Sequence, residues 1–228
     1  MQRKARRQNG QGLKPSSGAV LAAVPTDGGF ALWWYMKLVH GFGVNDADYK
    51  VSPVKNGKQV WCPAYSAWSS MIRRCYSKKS LLRFNTYAGV SVCEEWRSFM
   101  KFKSWWDGNY VKGWHLDKDI ISEDRVYSPA SCVYVPAWLN SFTVSCALSR
   151  GEFPIGVSFN RFAKKFSAKC RNPISDTIET IGYFSCPSEA HDAWRSRKIE
   201  IALKLKPEMD KIDKRLYEGI LRIINNAK

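Results

Sequence analysis

The residues best suited to chemistry are concentrated near the middle of the chain, in the segment His115-Leu116-Asp117-Lys118-Asp119, with Ser131 and Asn140 following at a distance. Two carboxylates one residue apart on a hairpin can hold a hard divalent cation when both project to one side. A polar residue returning from a later helix, Asn140, can complete the set. On an alternating strand His115 shares the face of Asp117 and Asp119. An Asp-x-Asp pair is equally at home on a solvated surface, so spacing alone leaves both outcomes open. A second concentration of functional groups is cationic. Arg161, Lys164 and Lys165 fall in the loop NRFAKK, and Lys169 and Arg171 alternate with Ala168 and Cys170 just beyond it. Such a row suits a phosphate backbone.

The elements that must position the first group are short. Residues 114–121 alternate as a strand, residues 122–125 form a polar turn, and Val126-Tyr127 begins a second short strand. After SPASC, a Val-Tyr-Val strand leads into Ala137-Trp138-Leu139-Asn140. Upstream, Tyr65, Trp68, Ile72 and Cys75 recur at steps of three and four, which predicts a helix over residues 63–76. Arg73, Arg74, Lys78 and Lys79 gather at its C-terminal end, where positive charge suits the helix dipole. A second helix is expected over residues 93–106, with Trp96, Phe99, Phe102 and Trp106 on one face and Glu94-Glu95 at its start. Both aromatic stripes are core rather than platforms for stacked bases. The run ALWWYMKLVHGFGV at 31–44 is apolar enough to be buried, but its mixed period does not separate helix from strand.

The cationic group sits on clearer architecture. Residues 155–159, 166–171 and 179–184 are expected as three strands, the second with Phe166, Ala168 and Cys170 on one face and Ser167, Lys169 and Arg171 on the other. Gly182 would let a helix approach closely. That helix opens at Pro187, a good first-turn residue, and turns Ala190, Ala193, Trp194, Arg197 and Ile201 to the sheet. Beyond Pro207, Met209, Ile212, Leu216, Ile220 and Ile223 continue at helical spacing as a further amphipathic helix.

Composition narrows the function class. The chain has 228 residues, 45% hydrophobic and 25% charged, which is enough to bury a core over most of its length. Its formal charge of +16 favours a polyanionic partner. The excess is spread evenly: nine basic residues against three acidic over 1–60, 12 against 7 over 61–150, and 15 against 10 over 151–228. Residues 1–30 carry Arg3, Lys4, Arg6 and Arg7 among Gln, Gly, Ser and Pro, and are expected as a flexible basic arm. No run of apolar residues is long enough to span a bilayer or to form a signal-peptide core. The seven cysteines are scattered without a CxxC pair, so neither a disulfide scaffold nor a structural zinc site is expected. Buried, reduced thiols are the expectation.

The string from Tyr65 to Asn140 resembles the phage-borne HNH homing-endonuclease family. The matching pieces are Tyr65-x-x-Trp68, RRCYSKK, TYAGVSVCEEWRSFMKF, LDKDI and YSPASCVYVPAWLN, in order. The resemblance implies a ββα-metal fold, in which a hairpin and a helix grip one Mg2+ or Mn2+ and a histidine activates water. By the same resemblance Asp117 would be a metal ligand, Asn140 matches the helical Asn or His, and Ser131 occupies the place of a central Asn; the Asp-x-Asp spacing adds Asp119 to the metal candidates. Lys118 stands where the family has its general-base histidine. An ammonium holds its proton at neutral pH, so it is a poor base, and His115 is the neighbouring candidate. The catalytic candidates are therefore Asp117, Lys118, His115 and Asn140.

Further on, IGVSFNRFAKKFSAKCR followed by TIGYFSCPSEAHDAW resembles the Apetala-type DNA-binding domain of plant ethylene-response factors. In that family a three-stranded sheet lies in the major groove, which implies that Ser158, Asn160, Arg161, Lys164, Lys165, Lys169, Arg171 and Thr180 face DNA. The expectation is thus an α+β chain. A basic arm at 1–30 precedes an HNH-like nuclease domain at 31–147, whose ββα-metal core carries aromatic-rich helices. A three-stranded antiparallel sheet packed on one helix follows at 148–206, and an amphipathic helix at 207–228. The expected function is a phage endonuclease that hydrolyses double-stranded DNA in the cytoplasm of an infected bacterial host, with no membrane partner. The alternative is a non-catalytic DNA-binding protein derived from such an enzyme, acting in regulation or on a host factor.

Overall fold

Helix α1 (Pro63–Tyr76) begins with Pro63 in the first turn, where the missing amide would have had no helical partner. Ala64, Trp68, Met71, Ile72 and Cys75 are buried along one stripe, and Arg73 and Arg74 close the last turn, as the spacing predicts. The protein is described by a computed structural model over residues 37–143 and 152–228. The basic arm, and residues 31–36 of the aromatic run, lie outside the described residues. Before α1, β1 (Val54–Lys55) and β2 (Lys58–Gln59) form a small exposed hairpin, and α2 (Lys78–Arg83) follows it.

The second aromatic helix starts later than expected. Trp96 sits in a 3-10 turn, Glu95–Arg97, and α3 (Phe99–Asn109) begins behind Ser98. The reason is local: the Ser98 hydroxyl accepts the Lys101 amide at 3.1 Å, which satisfies an orphan donor that the glutamates leave open. Asp46 reinforces that start, accepting from Ser98 Oγ at 2.6 Å and from the Met100 amide at 2.9 Å. Trp96, Phe99 and Phe102 are nevertheless fully buried, packed with Trp68, Ile72 and Tyr127 in a first core.

The strands around the chemical residues are two or three residues long. β3 (Ser91–Val92) pairs in parallel with β5 (Val126–Tyr127), and β4 (His115–Asp117) pairs antiparallel with β6 (Val133–Val135). Helix α4 (Ala137–Thr143) follows at once. Two strands and a helix are present, but the partner of β4 is β6 rather than the strand at Val126. The strand expected over 114–121 also stops at Asp117, because that carboxylate caps the backbone that follows.

In the C-terminal third, β7 (Val157–Asn160), β8 (Lys165–Asn172) and β9 (Thr177–Phe184) form an antiparallel sheet in that order. Helix α5 (Pro187–Ile212) lies on one face and runs unbroken through Pro207, so the boundary expected there is displaced. Buried Ile201 and Ala202 before the proline and Met209 after it hold both sides in the core. The turn comes instead where Arg215 pairs with Asp213 at 2.6 Å, ahead of α6 (Leu216–Asn226). The glycine that lets α5 approach is Gly156, not Gly182. A Cβ at Gly156, whose φ is +80°, would stand 2.0 Å from Trp194, whereas one at Gly182 meets only the Phe184 ring at 3.2 Å.

A second core draws on both segments. Ile120, Val135, Leu139 and Phe142 pack with Cys170, Trp194, Ile201, Met209, Leu216 and Ile220. The buried Lys198 of α5 reaches across this core and donates to the Phe142 carbonyl at 2.8 Å. Residues expected as two domains therefore share apolar contacts within one compact unit, Leu38–Lys228. The class is α+β, as expected.

Candidate functional site

Strand alternation puts His115 and Asp117 on the same face of β4. Asn140, one turn into α4, meets that face: its side-chain amide lies 3.1 Å from His115 Nδ1. The end of the amide that faces the ring fixes the imidazole tautomer. With Nδ2–H donating to Nδ1, a neutral ring carries its proton on Nε2; turning the amide end for end sets Oδ1 against Nδ1–H and leaves Nε2 as an acceptor for a proton or a metal. His115 is exposed, so that nitrogen can be reached.

Asp117 has a structural task as well. Its Oδ1 accepts the amides of Asp119 and Ile120 at 2.8 and 2.9 Å, which turns the chain out of the strand. Burial raises its carboxyl above the usual range, and those two amides oppose the shift. Asp119, beyond the end of β4, does not join His115 and Asp117. Its side chain is 71% exposed and ion-paired with Lys118. Lys118 is buried, with its ammonium 5.6 Å from the centre of the Tyr127 ring. Ser131 is buried too, and its hydroxyl donates to the Val126 carbonyl at 2.5 Å and contacts Ser128 Oγ at 2.9 Å, closing the turn before β6. Of the predicted corner, the structure brings His115 and Asn140 together, with Asp117 on the same strand face. Lys118, Asp119 and Ser131 serve the loop.

No local signal in the sequence points to what holds that loop. Arg222 of α6 donates to the carbonyls of Asp119 and Ile120 at 2.9 and 3.0 Å, and its Nε lies 3.3 Å from Glu123. Gly219 lets α6 rest on the loop, since a Cβ there would stand 1.8 Å from the Ile120 oxygen. Arg125 ties the loop to residues 86–88 through the carbonyls of Thr86 and Ala88, at 3.3 and 2.5 Å.

Among the described residues no three His, Cys, Asp or Glu side chains cluster to hold a metal. The mixed set of His115 nitrogen, the second Asp117 oxygen and the Asn140 amide oxygen has the donor chemistry that Mn2+ or Mg2+ accepts. The six described cysteines are free thiols, and burial pushes Cys75 up to about 11 and Cys132 up to about 12.

On the sheet, Lys169 lies opposite Thr180 and Arg171 opposite Ile178, on the face away from α5. The opposite face is identified by Glu179, which accepts from Arg197 of α5 at 2.9 Å. Lys169, Arg171 and Thr180 are exposed, and so are Arg161, Lys164 and Lys165 at the β7–β8 turn. Arg171 is answered by Asp176 at 2.5 Å, both largely exposed. Ser158 contacts Ser167 Oγ at 2.9 Å across the strands, and Asn160 Oδ1 takes the amides of Phe162 and Ala163 at 3.0 Å, which shapes the turn. Two exposed apolar groups escaped the sequence reading: Ile178 and Tyr183 share the outer face with the cations. A bulge at Ala168/Lys169 shifts the register, so simple alternation along β9 misplaces one end.

No family profile, curated protein or solved structure matches this chain. Among the described residues no helix is long and apolar enough to cross a membrane.

Proposed function

We propose that the chain is a duplex-DNA-binding endonuclease of the HNH kind, acting in the cytoplasm of an infected bacterial cell. The observation that carries this reading is the contact between His115 on β4 and Asn140 on α4 beside Asp117, which gives the corner a base held by an orienting amide. His115 would take the proton of the attacking water at Nε2, for which the Asn140 amide turns its Oδ1 to accept from Nδ1–H. Asp117 and Asn140 would hold a divalent cation, which when bound polarises the scissile phosphate and stabilises the leaving oxygen. This reading gives the base role to His115 rather than Lys118, which is buried and ion-paired. DNA would lie on the outer face of the sheet, where Lys169, Arg171 and Thr180 are exposed beside the turn cations, supported by the +16 charge of the whole chain. A second reading, a DNA-binding protein without catalysis, is favoured by the commitment of Asp117 Oδ1 to two backbone amides. Incubation of supercoiled plasmid with the full chain separates the two. Nicking that needs Mg2+ or Mn2+ and stops with EDTA supports the endonuclease, and an intact but retarded plasmid supports the binder.

A further inference from the structure

Thr86, Tyr87, Val90, Lys118, Asp119 and Arg125 line a cleft of about 370 Å3. Small-molecule sites span about 300–1,000 Å3, so the cleft has room for one small group rather than several. Its charges do not balance. Lys118, only 5% exposed, and Arg125 face a single carboxylate, Asp119. Behind the wall stands a third cation, Arg74, whose guanidinium is 5.6 Å from the ring centres of both Tyr87 and Tyr127. Lys118 is the same distance from Tyr127. Among the described residues Arg74 has ring contacts but no ion pair, and its Nε is buried without a partner. Ring faces offset only part of the cost of withdrawing cations from water. An anion would offset the rest.

Asp119 is a weak answer to this excess, because its side chain is 71% exposed and can swing away. Arg125 is better placed, its NH2 already fixed by two carbonyls, which holds the guanidinium at the cleft. We propose that this cleft binds the phosphate group of a nucleotide, with Lys118 and Arg125 as direct donors, Arg74 as a supporting charge, and Asp119 as the carboxylate that phosphate displaces. Lys118 thus binds an anion instead of moving a proton. The site does not depend on hydrolysis at His115, and its phosphate can come from a DNA strand or from a free nucleotide.

The test is calorimetric titration of the full chain with deoxyadenosine monophosphate and, separately, with deoxyadenosine. A charge-assisted contact of this kind corresponds to about a tenfold preference for the phosphorylated compound. Lys118→Gln and Arg74→Gln should each weaken it several-fold, Asp119→Asn should strengthen it, and Lys169→Gln on the sheet should leave it unchanged. Arg74→Gln removes a charge but no hydrogen bond, so it serves even if Lys118→Gln does not fold. Measurable binding of both compounds with equal affinity, or equal losses in Lys169→Gln and Arg74→Gln, would overturn the proposal. Fluorescence anisotropy with duplex DNA identifies the source. Opposite shifts of duplex affinity in Arg74→Gln and Asp119→Asn mean a strand phosphate, and monophosphate binding with unchanged duplex affinity means a free nucleotide. No heat with the monophosphate together with unchanged duplex affinity in Arg74→Gln overturns it as well.

Discussion

The sheet of β7, β8 and β9 and the corner of β4, β6 and α4 position their polar groups by different means. In the sheet, two eight-residue strands fix the direction of each side chain through register, so Lys169 and Arg171 point outward whatever their own contacts. In the corner, strands of three residues cannot do this alone. Direction there comes from individual bonds: Asp117 capping the loop, Asn140 against His115, and Arg222 reaching in from 103 positions downstream. A sheet face of this kind tolerates exchange of its exposed residues, while a corner built bond by bond loses its geometry when one bond goes.

The largest effect expected from this contrast is on chemistry. His115→Ala should lower metal-dependent nicking by about 100-fold or more, the usual range for a lost general base, and leave duplex affinity within about twofold. Nicking rate and anisotropy measured on the same preparation check it. A parallel loss of both would mean that corner and sheet do not act separately.

Stability distinguishes the regions next. Gly219→Ala forces a Cβ to within 1.8 Å of a backbone oxygen in the corner loop and should cost about 3 kcal/mol. Gly182→Ala in the sheet meets only an aromatic ring edge at 3.2 Å and should cost less than about 1 kcal/mol. Urea unfolding of the two variants measures the difference.

Lys198 lies between the regions, and burial lowers its ammonium from 10.5 to about 8. The folded chain therefore releases this proton before the unfolded chain does, so stability contributed here rises between pH 8 and 10.5, by at most about 3 kcal/mol. Cys75 works against it, since a thiol raised from 9.0 to about 11 loses stability as pH rises from 9 to 11. The difference in unfolding stability between the unmodified chain and Lys198→Met isolates the lysine, and it should shift in favour of the unmodified chain as pH rises from 8 to 10.5. An identical pH dependence would place the Lys198 ammonium in an environment no drier than water.

The smallest effect belongs to single cations of the sheet. Lys169→Gln should reduce the log–log salt slope of duplex binding by about 0.9, the value for one phosphate contact. Arg171→Gln should reduce it less, because Asp176 already offsets part of that charge. Equal changes for the two residues would mean that Asp176 leaves Arg171 when DNA binds.

Legibility in the sequence followed the same division. The register of β8, the start of α5 at Pro187 and the whole of α1 could be read from periodicity and a first-turn proline, because long elements repeat their pattern. The end of β4 could not, since it is set by Asp117 folding back on amides two and three residues ahead, and a carboxylate looks the same in a ligand set and in a cap. The pairing of β4 with β6 is hidden because three-residue strands are too short to show a period. Pro207 reads as a break in the sequence, although buried neighbours on both sides hold the helix through it. Arg222 and Gly219 carry no local signal, since their partners lie far away in the chain, and the basic cluster that includes Arg74 does not show that its guanidinium lies against two rings.

Distance along the chain also orders events in time. Arg222 meets the carbonyls of Asp119 and Ile120 only after 103 further residues have been made. At about 5–20 residues per second, a ribosome needs roughly 5–20 seconds to supply them. Throughout that interval His115 and Asp117 have been made, yet the loop beside them lacks its arginine and the helix on which it rests. On the proposed reading, late delivery of α6 would act as a timer, since the corner of β4, β6 and α4 gains its last support after the sheet of β7, β8 and β9 has been synthesised.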